Sequence, residues 1–275
     1  MRQRAISAAV LVPVLLIVLW LGGYVLAAAI ALITVIAALE VFRLLKAAGY
    51  ATLVPIGTAL ALAIVADAAF PKVLEGSGLL LGAIGIVLVA VAAFPKQDPH
   101  DGLATWMATI FGALYVSLLS FVIRLGHAAP VVPSGSPLSV LTGEQAWILL
   151  LILTVWAYDT GAYLVGKQFG RRKFLTHISP SKTYAGLIGG VVASTVVLGI
   201  ALWAVGQPPY HAIVLGPLTA LAAQAGDLAE SVIKRAAGAK DSGDLIPGHG
   251  GMLDRVDSFL FAAPVVTLYV LAVLG

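Results

Sequence analysis

The sequence predicts an all-α polytopic membrane protein of about nine transmembrane helices, with a cytoplasmic N-terminus and an external C-terminus. Three observations predict it. First, 60% of the 275 residues are hydrophobic and 11% are charged, and mean hydropathy is +1.03. A soluble globule is nearer about 45–50% apolar and about 25% charged. Second, apolar runs recur along the whole chain, most of them near the ~20 residues that cross a bilayer as a helix. Third, Lys and Arg keep to one side of the implied membrane.

The runs are 5–21, 23–42, 52–70, 77–94, 104–124, 146–166, 185–206, 210–226 and 258–274. The first follows "MRQR", a start shared with secretory signal peptides. It leads straight into a second apolar run across Gly22-Gly23, a natural tight turn, so it reads better as half of a hairpin. The first five runs make an N-terminal transmembrane bundle, 1–124. Residues 125–145 form an external loop with no basic residue and one acid, Glu144. The remainder, 146–275, is a region of about four spans with cytoplasmic loops at 167–184 and 227–257. The run 210–226 continues as a polar helix, "GDLAESVIKRAAG". With this layout, every Lys and Arg except Lys72 and Arg124 falls on the inner side.

Composition excludes several chemistries. There is no cysteine, hence no disulfide, thiolate nucleophile or Cys-ligated zinc. There is no asparagine either. A metal would rest on carboxylates, histidines, hydroxyls and substrate oxygens, which favours a hard cation such as Mg²⁺. No nucleic-acid partner is expected.

Polar residues gather in two loops. Residues 227–257 hold Asp227, Glu230, Asp241, Asp244, Asp254 and Asp257 beside Lys234, Arg235, Lys240 and Arg255. On a helix, Asp227, Ser231 and Lys234 share a face. Asp254 and Asp257 fall on adjacent turns if the last helix begins near Asp254. Such acids also serve as helix caps, and the bases also face anionic headgroups. The whole mixture, with glycines that let backbone approach an anion, suits phosphate transfer. Carboxylates hold Mg²⁺, and Lys and Arg neutralise phosphate. The loop "GKQFGRRKFLTHISPSKT" carries five bases and no acid. Its Ser179, Lys182 and Thr183 precede a helix start, a plausible phosphate site. Asp159 lies inside a span and reads as functional. Glu40 reads as structural, paired with Arg43 three residues on, and Asp67 as hydrated near the outer end. His249 is open between metal ligand, proton donor and loop-shaping hydrogen bonder.

The stretch "SVIKRAAGAKDSGDLIPGHGGMLDRVD", Ser231 to Asp257, closely resembles the signature of phosphatidate cytidylyltransferases, the CDP-diacylglycerol synthases. The matching residues are Ser231, Lys234, Arg235, Lys240, Asp241, Pro247, His249, Gly250, Gly251, Asp254, Arg255 and Asp257. "QAGDLAES", "AYDTGAY" and "SPSKT" also resemble family motifs, with Ser181 standing where many relatives carry Lys. The resemblance covers the C-terminal half. It implies conversion of CTP and phosphatidic acid to CDP-diacylglycerol and pyrophosphate by a homodimeric enzyme of the membrane. It also implies Mg²⁺ at Asp227 and Asp254 with support from Asp257, and a monovalent cation such as K⁺ beside it. A bacterial inner membrane with the site on the cytoplasmic face is expected. Lys234, Arg235 and Arg255 would bind phosphates or the leaving group, and Lys182 with Ser179 and Thr183 would meet nucleotide or lipid phosphate. A CTP-dependent lipid kinase and a transporter are the alternatives; the first would put the γ-phosphate, not the α-phosphate, on the lipid.

Overall fold

The computed structural model describes residues 2–71, 77–245 and 250–274, the side chains of 2–8 and 77–79 excepted. Lys72, Pro247 and His249 therefore lie outside the described residues. Among the described residues the chain is helical and has no strand; an isolated bridge joins Lys173 and Thr183. The helices are α1 (Arg2–Leu21), α2 (Gly23–Ala47), α3 (Val54–Ala69), α4 (Ser77–Ala93), α5 (Pro99–Ser117), α6 (Ser120–Ala128), α7 (Gly143–Phe169), α8 (Tyr184–Ala204), α9 (Ala212–Ala236) and α10 (Leu253–Tyr269).

Each predicted apolar run falls on a helix. Six helical stretches are long and apolar enough to cross a membrane: Gly23–Ala47, Pro99–Ala128, Gly143–Phe169, Tyr184–Ala204, Pro209–Ala236 and Leu253–Leu274. Three runs fall on shorter apolar helices, Ala9–Leu21, Val54–Ala69 and Leu80–Ala93. At 1.5 Å per residue, the 16 residues of α3 reach about 24 Å, short of a hydrocarbon core of about 30 Å. The Gly22-Gly23 turn is present, with φ of 55° and 49°. The predicted fifth run is broken at Leu118–Leu119 between α5 and α6. The polar continuation after residue 226 is helical to Ala236, and α10 begins at Leu253, next to Asp254.

The chain divides into two compact units, 1–123 with 232–256 and 124–231 with 257–275. In the first, α2, α3, α4 and α5 pack together. Phe42 of α2 is buried between α3 and α5, where Gly57 and Gly112 have no Cβ to obstruct its ring. Asp67 is buried at 5% exposure rather than hydrated. In the second unit, α7 and α8 form a tight hairpin. Its seam is made of small residues: Gly161 lies against Ala193, Gly166 against Gly186, and Gly190 against the Tyr158 ring. Small residues let apolar helices approach closely without help from water. The α8–α9 pair repeats the device, with Gly216 against Thr195.

Candidate active site

Both units carry polar groups that an apolar chain would otherwise avoid. In the first unit they centre on Asp254, in the first turn of α10. Its Oδ1 accepts from Lys234 Nζ at 2.6 Å. Its Oδ2 accepts from Ser242 N, Ser242 Oγ and Gly251 N, each at 2.8 Å. The side chains are 11% and 7% exposed, so the ion pair is shielded from water. Lys234 and two backbone N–H groups, with a hydroxyl whose one proton is shared with Glu40, make a cradle for this charge.

Glycine shapes this cradle. Gly250 has φ 81°, a left-handed conformation that disfavours any side chain. A Cβ on it would lie 2.6 Å from Asp254 Oδ2. A Cβ on Gly251 would meet Ser242 Oγ and both carboxylate oxygens of Glu40. Lys240, Asp241, Arg235 and Arg255 are exposed around it, and Arg235 Nη1 donates to the Ala239 carbonyl at 3.2 Å.

Glu40 is the residue that sequence reasoning missed here. It is 6% exposed. It accepts from Met252 N at 3.0 Å and Leu253 N at 2.8 Å, and lies 2.9 Å from Ser242 Oγ, whose one proton it shares with Asp254. Arg43 donates to the Ser242 carbonyl at 2.6 Å. The pair expected within one turn of α2 instead reaches residues about two hundred positions away.

In the second unit a cleft of about 300 Å³ is lined by Asp159, Tyr163, Lys167, Ser181, Lys182, Thr183 and Gln224, among others. Lys182 forms an ion pair with Asp227, both about one-quarter exposed. Thr183 caps α8 by accepting from Gly186 N at 3.1 Å, so its hydroxyl is committed to the helix start. Ser181 lines the cleft, whereas Ser179 sits in the preceding turn, its N–H donating to the Leu175 carbonyl. Ser231 is buried on α9. Gly226 leaves no room for a Cβ against the Asp257 carbonyl. There α9 and α10 touch backbone to backbone, which brings Asp227 and Asp257 onto neighbouring turns. Asp257 Oδ1 accepts from Ser258 N at 2.6 Å.

A second missed pair lies beside the cleft. Tyr158 donates to Gln224 Oε1 at 2.5 Å, and Gln224 Nε2 is a buried donor with no partner. Both lie in the motif-like stretches "AYDTGAY" and "QAGDLAES", yet neither side chain by itself signals a site.

Among the described residues, no three His, Asp or Glu converge as a metal cage. Mg²⁺ does not need one, because it keeps several waters and takes one or two carboxylates plus substrate phosphates. Asp227 and Asp257 fit that pattern. Asp254 has Lys234 Nζ and Asp227 has Lys182 Nζ where a cation would sit, so a metal at either carboxylate requires its lysine to turn away.

Apolar helices of spanning length carry these lysines, carboxylates and hydroxyls, the groups that a membrane enzyme acting on phosphate needs. The chain belongs to the cytidylyltransferase family, whose sequence profile matches residues 2–273, and it is a nucleotidyltransferase. It is 36% identical to a phosphatidate cytidylyltransferase of a Synechocystis species, over 99% of this chain and 97% of that one. It is 41% identical to phosphatidate cytidylyltransferase 4, chloroplastic, of Arabidopsis thaliana, over 66% of this chain and 50% of that one. It is 47% identical to a phosphatidate cytidylyltransferase of Staphylococcus aureus, over 44% and 48%. The chain thus spans nearly the full length of the first relative and about half of the other two.

Proposed function

We propose that this enzyme transfers the cytidylyl group of CTP to phosphatidic acid, giving CDP-diacylglycerol and pyrophosphate. The observation that carries this reading is the ion pair between Lys182, on the wall of the cleft, and Asp227. It offers a phosphate an ammonium, and a cation a carboxylate, in a chain that is otherwise lipid-like. The full-length likeness to a phosphatidate cytidylyltransferase supports it.

The phosphate of phosphatidic acid has a second pKa near about 6, so near neutral pH its oxygen is already a nucleophile. It attacks the α-phosphorus of CTP. The bond from that phosphorus to the α–β bridging oxygen breaks, and pyrophosphate leaves with the electron pair. No general base is required, and the enzyme works by positioning and charge neutralisation. Lys182 and Ser181 bind phosphate oxygens in the cleft. Asp227 and Asp257 would hold Mg²⁺, with the nucleotide phosphates completing its ligands, and a K⁺ would sit beside it. When bound, the metal offsets charge on the phosphates. Lys234, Arg235 and Arg255 bind phosphates or the leaving group, and Asp254 fixes the lysine. Asp159 holds the cleft's polar wall.

The surrounding arrangement is nine spans, N-terminus inside and C-terminus outside, in a bacterial inner membrane, with the site on the cytoplasmic face and the chain as a homodimer. The Lys and Arg distribution supports the orientation. The test is pyrophosphate release by the purified protein in detergent with phosphatidic acid, CTP and Mg²⁺. CTP labelled at the α-phosphate should label the lipid. Label entering only from the γ-phosphate would make the protein a lipid kinase instead.

A further inference from the structure

We propose that Glu40 is a positioning residue for the cytidylyl-transfer chemistry. Through Ser242 and the first turn of α10, it sets the geometry of the Lys234–Asp254 pair. The inference deepens the reading above and rests on it.

An ionised carboxylate inside an apolar helix is costly unless its oxygens are met. Glu40 meets this requirement with donors that no other group supplies. The N–H groups of Met252 and Leu253 stand at the start of α10, where a helix has no internal acceptors. A carboxylate there is favoured by both hydrogen bonding and the helix dipole. Glu40 Oε1 takes the Met252 N–H, and Oε2 takes the Leu253 N–H. Oε2 also lies 2.9 Å from Ser242 Oγ, which in turn is 2.8 Å from Asp254 Oδ2. One hydroxyl thus lies between two carboxylates and gives its single proton to one of them at a time. Arg43 holds the carbonyl of the same serine, and the serine N–H donates to Asp254. Asp254 Oδ1 then holds the ammonium of Lys234. Gly251 has no side chain where one would strike Glu40, and the same holds at Gly243. Each step is a direct contact, and the sequence runs from α2 to Lys234.

The geometry also excludes the usual neutral substitute. The two backbone partners of Glu40 are obligatory donors, one on each oxygen. A glutamine would turn an NH₂ group toward either the Met252 N–H or the Leu253 N–H. It would leave donor facing donor.

The experiment compares wild type, Glu40→Gln, Ser242→Ala and the double variant in detergent. It reads pyrophosphate release as kcat and KM for CTP and for phosphatidic acid, per folded protein, at a temperature well below each melting point. Glu40→Gln is expected to lower kcat about 100-fold, the scale of a small misplacement of reacting groups, with both KM values within about 2-fold. Ser242→Ala, which keeps both backbone donors on Glu40, is expected to lower kcat less. If Glu40 acts through the serine, the double variant matches Glu40→Gln alone. A Glu40→Gln variant that melts earlier but turns over like wild type would overturn the proposal, as would losses that multiply. Should Glu40→Gln fail to fold, an unchanged kcat in Ser242→Ala overturns it, and a lowered kcat at constant KM supports it. A wild type without turnover in the same assay refutes instead the cytidylyl-transfer reading on which this rests.

Discussion

Two lysine–carboxylate pairs in one chain face opposite demands at the residue scale. Lys234 and Asp254 are shielded, and removing one partner strands the other. Lys182 and Asp227 are about one-quarter exposed, and water screens them to about 0–1 kcal/mol of stability. Asparagine at the two aspartates should therefore separate stability from activity. Asp227→Asn is expected to leave the melting temperature in detergent within a few degrees while turnover falls on the order of 100-fold. Asp254→Asn is expected to lower both, because its amide would confront Lys234 or a loop N–H with a donor. Thermal unfolding followed alongside pyrophosphate release checks the contrast. If Asp227→Asn keeps near-normal turnover at saturating Mg²⁺, the metal assignment of Asp227 fails.

The loop before α10 depends on backbone shape at the element scale. Gly250→Ala would force a side chain into the left-handed region, at roughly 1–2 kcal/mol, and push it against Asp254. A fall in turnover larger than the fall in stability is expected; a normal rate would show that the loop tolerates the shift. Helices were legible in the sequence because an apolar run of spanning length has few other fates. The polar extension of α9 and the start of α10 were legible for the same reason, since their charged residues keep helical spacing. The break between α5 and α6 was not, because apolar residues continue through Leu118 and Leu119. The signature residues Lys234, Asp254, Gly250 and Gly251 were legible as a group. Glu40 was not, because a nearby arginine offers a local explanation and a contact across two hundred residues leaves no periodic trace. Gln224 was legible only as the first residue of "QAGDLAES"; its pairing with Tyr158 is another long-range contact that leaves no periodic trace.

For the whole molecule, the testable quantity is orientation. The chain has no cysteine, so a single introduced thiol reports its own side of the membrane. Ser134→Cys, in the exposed stretch before α7, is expected to react with an impermeant thiol reagent from outside intact cells. Arg171→Cys, between α7 and α8, is expected to react only in inverted vesicles. The reverse result would turn the protein over.

The contact between Glu40 and Met252, 212 residues apart, also bears on biosynthesis. The chain emerges from the ribosome N-terminus first, so α2 is made long before its partners on the last helix exist. Until then, the Glu40 carboxylate lacks the Met252 and Leu253 N–H groups that later satisfy it. Closing so long a loop is slow. The cradle around Asp254 is therefore among the last features to form, and a chain that ends before α10 cannot assemble it. Catalytic competence is coupled in this way to completion of the polypeptide.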